Sequence, residues 1–176
     1  MSQRDSGYAR QERDLYETPE WVTAALLPHI KDRINGPIWE PAAASGNMVR
    51  ALEPLGWPVL GTDIATGDDF LTTSKAGFDF DFIITNPPYE SAQAFIQHAI
   101  NLTMTDGLVA MLLRTDFDHA KSRANLFRLS PRFAKKVVLT KRIQWFADST
   151  GSPSFNHAWF IWDWRHKGAP TLAYDP

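Results

Sequence analysis

The ten residues Phe80-Asp81-Phe82-Ile83-Ile84-Thr85-Asn86-Pro87-Pro88-Tyr89 constrain this chain more than any other stretch. The first part reads as a short apolar strand of the kind found in the middle of a parallel sheet. The second part is a rigid polar exit. Each proline fixes its own φ at about −65° and holds the residue before it extended. Asn86 and Pro87 are therefore both extended, and Asn86 is presented at the carboxyl end of a strand. In open α/β sheets that edge is where ligands bind. The Asn86 amide oxygen and the Pro87 carbonyl would offer two acceptors on a stiff frame. Such a pair suits an exocyclic amine, which has two hydrogens to donate. Tyr89 offers a flat ring one step further on.

The rest of the chain alternates strands and helices around this stretch. Thr18 is a good N-cap and Pro19 a good first-turn residue, so a helix is expected from there. Its apolar stripe is Trp21, Val22, Ala25, Leu26 and Ile30, and Asn35-Gly36-Pro37 stops it. Strands are expected over 37–40, 59–63, 108–113, 136–143 and 157–164. Helices are expected over 48–55, 91–104 and 118–129. The alternation implies a doubly wound, mostly parallel α/β sheet. The last two strands, joined by a loop rather than a helix, should form an antiparallel pair at one edge. Residues 1–14 are polar with no hydrophobic period and read as a mobile arm, leaving 15–176 as a single domain.

Asn-Pro-Pro-Tyr after an apolar strand resembles the signature of the S-adenosylmethionine-dependent amino-methyltransferases, above all the N6-adenine DNA methyltransferases. The order of the other motifs is similar. Tyr16-x-Thr18-Pro19 ahead of the first strand resembles the family's N-terminal cofactor-contacting motif. Glu40-Pro41-Ala42-Ala43-Ala44-Ser45-Gly46-Asn47 resembles its cofactor loop, departing at Ala44, where many members have glycine. The resemblance implies a seven-stranded Rossmann-like methyltransferase sheet with an antiparallel last strand. It implies S-adenosylmethionine over Glu40, Pro41, Ala42, Gly46 and Asn47. Asp63 lies 23 positions after Glu40, near the spacing at which an acid meets a ribose hydroxyl. Ile64 follows it, and Asp69 and Phe70 are expected at the cofactor adenine.

By the same resemblance, Asn86 and Pro87 hold the target amine, Pro88 stiffens the frame and Tyr89 stacks on the base. A duplex adenine would have to flip out to reach them. Phe155, with Phe146 as the alternative, is the candidate for the other face of the base. The residue readings also leave room for adenine in RNA, a protein Gln amide, or a degenerate domain that only binds cofactor.

Composition sets the remaining bounds. The 176 residues carry a net charge of −2 and no cysteine. There is thus no general pull toward nucleic acid, no disulfide and no thiolate metal site. The five histidines show no metal-ligand spacing and read as surface or packed residues, so no metal is expected. No run is long enough to cross a membrane, and no signal peptide is evident; this fits a cytoplasmic protein. Between Arg114 and Arg142, nine Lys or Arg face two Asp. That basic stretch, with Arg114, Lys121 and Arg123 nearest the expected site, suits DNA phosphates. The gaps at 71–79 and 165–176 are too short for an independently folded reader. The expectation is a short or relaxed recognition sequence, or a partner protein that supplies specificity.

Overall fold

The computed structural model describes residues 17–74, 80–145 and 155–176. The expected arm, Tyr16 and Phe146 lie outside them. The described chain forms α1 (Glu20–Ala24), α2 (Leu27–Ile30), β1 (Ile38–Glu40), α3 (Asn47–Leu52), β2 (Val59–Gly61) and β3 (Phe82–Thr85). It continues through α4 (Ala92–Leu102), β4 (Leu108–Arg114), β5 (Phe133–Val138), β6 (His157–Asp163) and β7 (Thr171–Tyr174). The seven strands make one sheet in the order β2-β1-β3-β4-β6-β5-β7. Only β6 opposes the others: it runs antiparallel to both β4 and β5, whereas β1, β2, β3 and β4 are mutually parallel. None of the described helices is long and apolar enough to cross a membrane.

The strands are apolar on both faces because both faces are covered. On one side Val22, Leu26, Ile30 and Leu52 pack against Ile38, Ile84, Leu112 and Trp159. On the other, Phe95, Ile96 and Ala99 of α4 pack against Ile83, Val109, Met111 and Trp162. The period of two sends neighbours such as Ile83 and Ile84 to opposite layers. Buried indoles keep their hydrogen bonds: Trp159 Nε1 donates to the Val22 carbonyl at 2.8 Å, and Trp162 Nε1 to that of Leu126 at 2.6 Å. At the turn into β4, a Cβ on Gly107 would lie 2.3 Å from the Asp81 carbonyl oxygen. Only glycine lets β4 start so close to β3.

Four sequence expectations are corrected. The first helix is two short ones, because Pro28 has no N–H to continue the α1 ladder. Thr18 does not cap it; the residue before α1 is Pro19, with no side-chain cap bond. The expected helix over 118–129 is absent. In its place stand two 3-10 turns, Phe117–His119 and Lys121–Arg123, separated by extended Ala120. There Arg123 Nη1 holds the Phe117 carbonyl at 2.7 Å, and Leu126 and Phe127 are drawn into the core. Tertiary packing overrides a weak helical propensity. Finally, β5 starts earlier than expected, at Phe133, and β7 was not anticipated. It pairs parallel with β5 and takes the edge expected for the β5–β6 pair.

Candidate active site

The parallel strands β1, β3 and β4 all end at one rim of the sheet, and reversed β6 begins there. Arg114, the last residue of β4, stands opposite His157, the first of β6. Asn86 to Tyr89 leave β3 at this rim, as the prolines dictate. Pro87 is buried, and the Pro88 carbonyl accepts from Ser91 N at 3.0 Å just before α4. The exit is thus fastened at both ends, to a central strand and to a helix. The Asn86 amide nitrogen donates to Thr18 Oγ1 at 3.1 Å.

Beside Asn86 the loop after β1 turns over a buried carboxyl. Glu40 is 0% exposed. Its Oε1 accepts from Thr85 Oγ1 at 2.6 Å and from Ala42 N at 2.9 Å. Oε2 is buried with no hydrogen-bond partner. Burial pushes the Glu40 carboxyl up to about 8; the bonds from Thr85 and Ala42 oppose the shift, and nearby Asp63 adds to it. The loop closes over this group through Ala44, a non-glycine residue at φ 45°, and Gly46 at φ 84°. A Cβ on Gly61 of β2 would meet Val49 Cγ2 at 2.8 Å, so glycine there lets the loop and α3 settle onto the edge strand. Asn47 Nδ2 reaches Glu17 at 3.2 Å, and Arg50 holds both the Ser45 carbonyl and the Asn47 side chain. The result is a cleft of about 250 Å³, lined by Glu17, Thr18, Glu40, Ala42, Ala43, Ala44, Ser45, Asn47, Met48 and Asn86. Pro41 is buried beneath it and Gly46 forms its turn.

The second strand end is built differently from the simplest expectation. Both Asp63 carboxylate oxygens already accept main-chain hydrogen bonds, from Ala44 at 2.9 Å and Ala65 at 2.8 Å. Asp63 therefore fastens the small-residue loop to the β2 end. Ile64, next to it, is 64% exposed and presents an apolar face. Asp69 caps the 3-10 turn Phe70–Thr72 by accepting from Leu71 N at 3.0 Å. Phe70 is 2% exposed. Its ring lies within 4.9 Å of those of Trp39, Phe95 and His98, so it belongs to the core and offers no open stacking face.

On the far side of Asn86, Tyr89 Oη and His157 Nε2 are hydrogen-bonded at 2.8 Å. Residue spacing alone does not place this histidine at the site. One clue was available: it opens the last long apolar strand run, and a reversed strand starts where its parallel neighbours end. Burial, followed by repulsion from Arg114, lowers the His157 pKa to about 4. Phe155 reaches the same rim, with the Arg114 guanidinium 4.0 Å above its ring.

The basic stretch is largely occupied within the chain. Arg114 pairs with Asp116, and Arg123 lies over Phe117. Lys136 holds Asp118 at 3.0 Å and the Thr115 carbonyl at 2.7 Å. Arg132 lies over Trp164 and Lys141 over Trp21. Lys121 and Arg128 are exposed.

Sheet order, the single reversed strand and helices on both faces define an α/β, Rossmann-like methyltransferase fold. Among solved structures, the chain is similar to a candidate class I S-adenosylmethionine-dependent methyltransferase from Listeria monocytogenes, with TM-score 0.61 and 15% identity over 88% of this chain and 62% of that one. It is also similar to the modification subunit of a candidate type I restriction enzyme from Vibrio vulnificus YJ016, with TM-score 0.60 and 14% identity over 90% of this chain and 46% of that one. A third likeness is to the type IIG restriction endonuclease BpuSI, with TM-score 0.64 and 13% identity over 86% of this chain and 25% of that one. The chain thus spans under two thirds of each of these proteins. At such identities the likeness is one of fold. No protein family matches the chain, and no curated protein matches it in sequence.

Proposed function

We propose that this protein transfers a methyl group from S-adenosylmethionine to the N6 amine of adenine in DNA. The observation that carries the reading is the position of Asn86. It leaves the central strand in the Asn-Pro-Pro-Tyr exit and at the same time lines the cleft over Glu40. A group bound in the cleft and an amine held by Asn86 would therefore meet at one residue.

The cleft suits the amino-acid end of the cofactor. Its buried Glu40 Oε2 has no partner, and a cation placed there would favour the ionised carboxylate by displacing the proton that burial retains. The nucleoside end would lie outward, over exposed Ile64 and beside Asp63 and Asp69. Bound there, the cofactor supplies an electrophilic methyl on a sulfonium. The chain's own part is placement. The Asn86 amide oxygen and Pro87 carbonyl accept the two amine hydrogens, turning the nitrogen lone pair toward the cleft. Tyr89 carries the adenine ring on its face, and Phe155 stands across from it. The catalytic gain is orientation of the two reactants.

Reaching Asn86 requires the adenine to leave the duplex. Lys121 and Arg128 are exposed for phosphate contacts, which position DNA without reading its sequence. These contacts alone would support a short or relaxed recognition sequence, to which a partner protein could add readout. The test is incubation with methyl-labelled cofactor and separate unmethylated DNA, RNA and protein fractions, followed by nucleoside and amino-acid analysis. N6-methyladenine in the DNA fraction alone is the expected product. Label in RNA or on glutamine instead would overturn the DNA assignment.

A further inference from the structure

We infer that His157 is a positioning residue that acts through the Tyr89 hydroxyl, fixing the tyrosine ring at the tilt the target base must match. The inference rests on the function proposed above and adds to it a residue from the opposite end of the chain.

Tyr89 is the first residue after two prolines. Its backbone is placed by Pro88, but its ring can still turn about two side-chain bonds. The hydrogen bond between Oη and His157 Nε2, at 2.8 Å, removes that freedom. The anchor is itself held on several sides. His157 is 2% exposed and opens β6, where its main chain is paired to Arg114 on one side. On the other, its carbonyl accepts from Leu139 N at 3.2 Å. Its ring is packed edge-on against Trp145 at 5.3 Å, while the Tyr89 ring lies at 6.2 Å, tilted by 35°. Two aromatic neighbours thus hold the imidazole, and the imidazole holds the phenol. A phenylalanine at 89 would offer the same stacking face without the tether. The hydroxyl is therefore the part of Tyr89 that this site specifically uses.

A ring fixed before the base arrives loses less entropy on stacking. Losing the tether should lower turnover and leave cofactor binding alone, because neither residue lines the cleft. Tyr89→Phe and His157→Phe should each lower kcat by about five- to thirty-fold, the range set by roughly 1–2 kcal/mol. The KM for S-adenosylmethionine should stay within two-fold. The double variant should fall no further than the worse single variant, since both remove one interaction. His157→Gln, whose amide can reach the Nε2 position, should restore most of the loss.

The bond has a readout that needs no turnover. In side-chain histidine NMR, Tyr89→Phe should shift the His157 nitrogen resonances and leave those of the other four histidines in place. Losses that multiply in the double variant would overturn the inference, as would a His157→Gln variant no better than His157→Phe. A silent His157 resonance would remove its physical basis. If wild-type protein methylates no acceptor while the NMR shift is present, the functional reading has failed and not the bond.

Discussion

The Asn86 amide nitrogen donates to the Thr18 hydroxyl at 3.1 Å, joining residues 68 positions apart. Thr18 is buried at the lip of the cleft. With its nitrogen turned to Thr18, the amide directs its oxygen the other way. The segment before α1 therefore helps set which end of the Asn86 amide faces away from Thr18, the end that the proposed reaction would use.

Thr18→Val keeps the volume and removes the acceptor. Turnover should fall by about five- to thirty-fold, with a stability loss of about 1 kcal/mol. Asn86→Ala should nearly abolish turnover while calorimetric cofactor affinity stays within a few-fold. If Asn86→Ala kept near-normal turnover, the amine clamp would be abandoned.

Asp63→Ala should weaken the fold as well as the site. It releases the main-chain N–H groups of Ala44 and Ala65, and charge-assisted bonds of this kind contribute roughly 1.5–3 kcal/mol each. The denaturant midpoint should drop together with cofactor affinity. A variant with normal stability and a large affinity loss would show the carboxylate to be a ligand first and a fastener second.

Ala44→Gly should stabilise the protein modestly. At φ 45° alanine bears about 1–2 kcal/mol of steric strain that glycine avoids. The unfolded chain gains back about 0.4–1 kcal/mol of that through glycine's extra freedom. A net gain of about 0.5–1 kcal/mol should appear as a higher urea midpoint with unchanged slope. A lower midpoint would count against strain at this turn.

Stability should depend on pH through two buried groups with opposite signs. Glu40, raised from 4.5 to about 8, holds a proton in the folded state that the unfolded chain has released. It alone makes stability fall as pH rises from 4.5 to 8. His157, lowered from 6.5 to about 4, stays neutral while the unfolded chain takes up a proton. It alone makes stability rise between pH 4 and 6.5. The two cancel between about 4.5 and 6.5, leaving a decline above 6.5 of up to about 1.4 kcal/mol per pH unit. Glu40→Gln should flatten that decline. A decline that survives in Glu40→Gln would point to another group.

DNA binding should separate the basic residues by what already holds them. Lys121→Ala should weaken all DNA sequences about equally and lower the salt slope by about 1. Lys136→Ala should instead destabilise the fold, because its ammonium already bridges Asp118 and Thr115. Equal effects of both on salt slope would refute this division.

The central sheet and the Asn86 rim were legible in the sequence because their signals are local. An apolar run, two prolines and a small-residue loop act over a few residues each. The 118–129 segment misled because its fate depends on distant partners: Trp162 takes the Leu126 carbonyl, and Arg123 takes that of Phe117. Phe70 misled for a related reason. Position in a loop does not say whether a ring faces solvent or, as here, Trp39 and Phe95. His157 was passed over because its partner lies 68 residues away. The edge strand β7 was hidden by its length of four residues and by half-exposed Leu172 and Tyr174, which give no core-like pattern.

The place of β6 between β4 and β5 carries a consequence for how the molecule is made. A chain emerging from the ribosome can pair β1, β2, β3 and β4 in the order they appear. It cannot dock β5, because the strand that β5 pairs with has not yet been synthesised. Only when β6 slots in, against the direction of its neighbours, do β5 and β7 gain a template. The same event delivers His157 and Phe155 to the rim. Domains that close through such late, long-range pairings form slowly. The cleft over Glu40 can therefore form first on the nascent chain, and the Tyr89–His157 side of the rim is completed only once β6 has emerged.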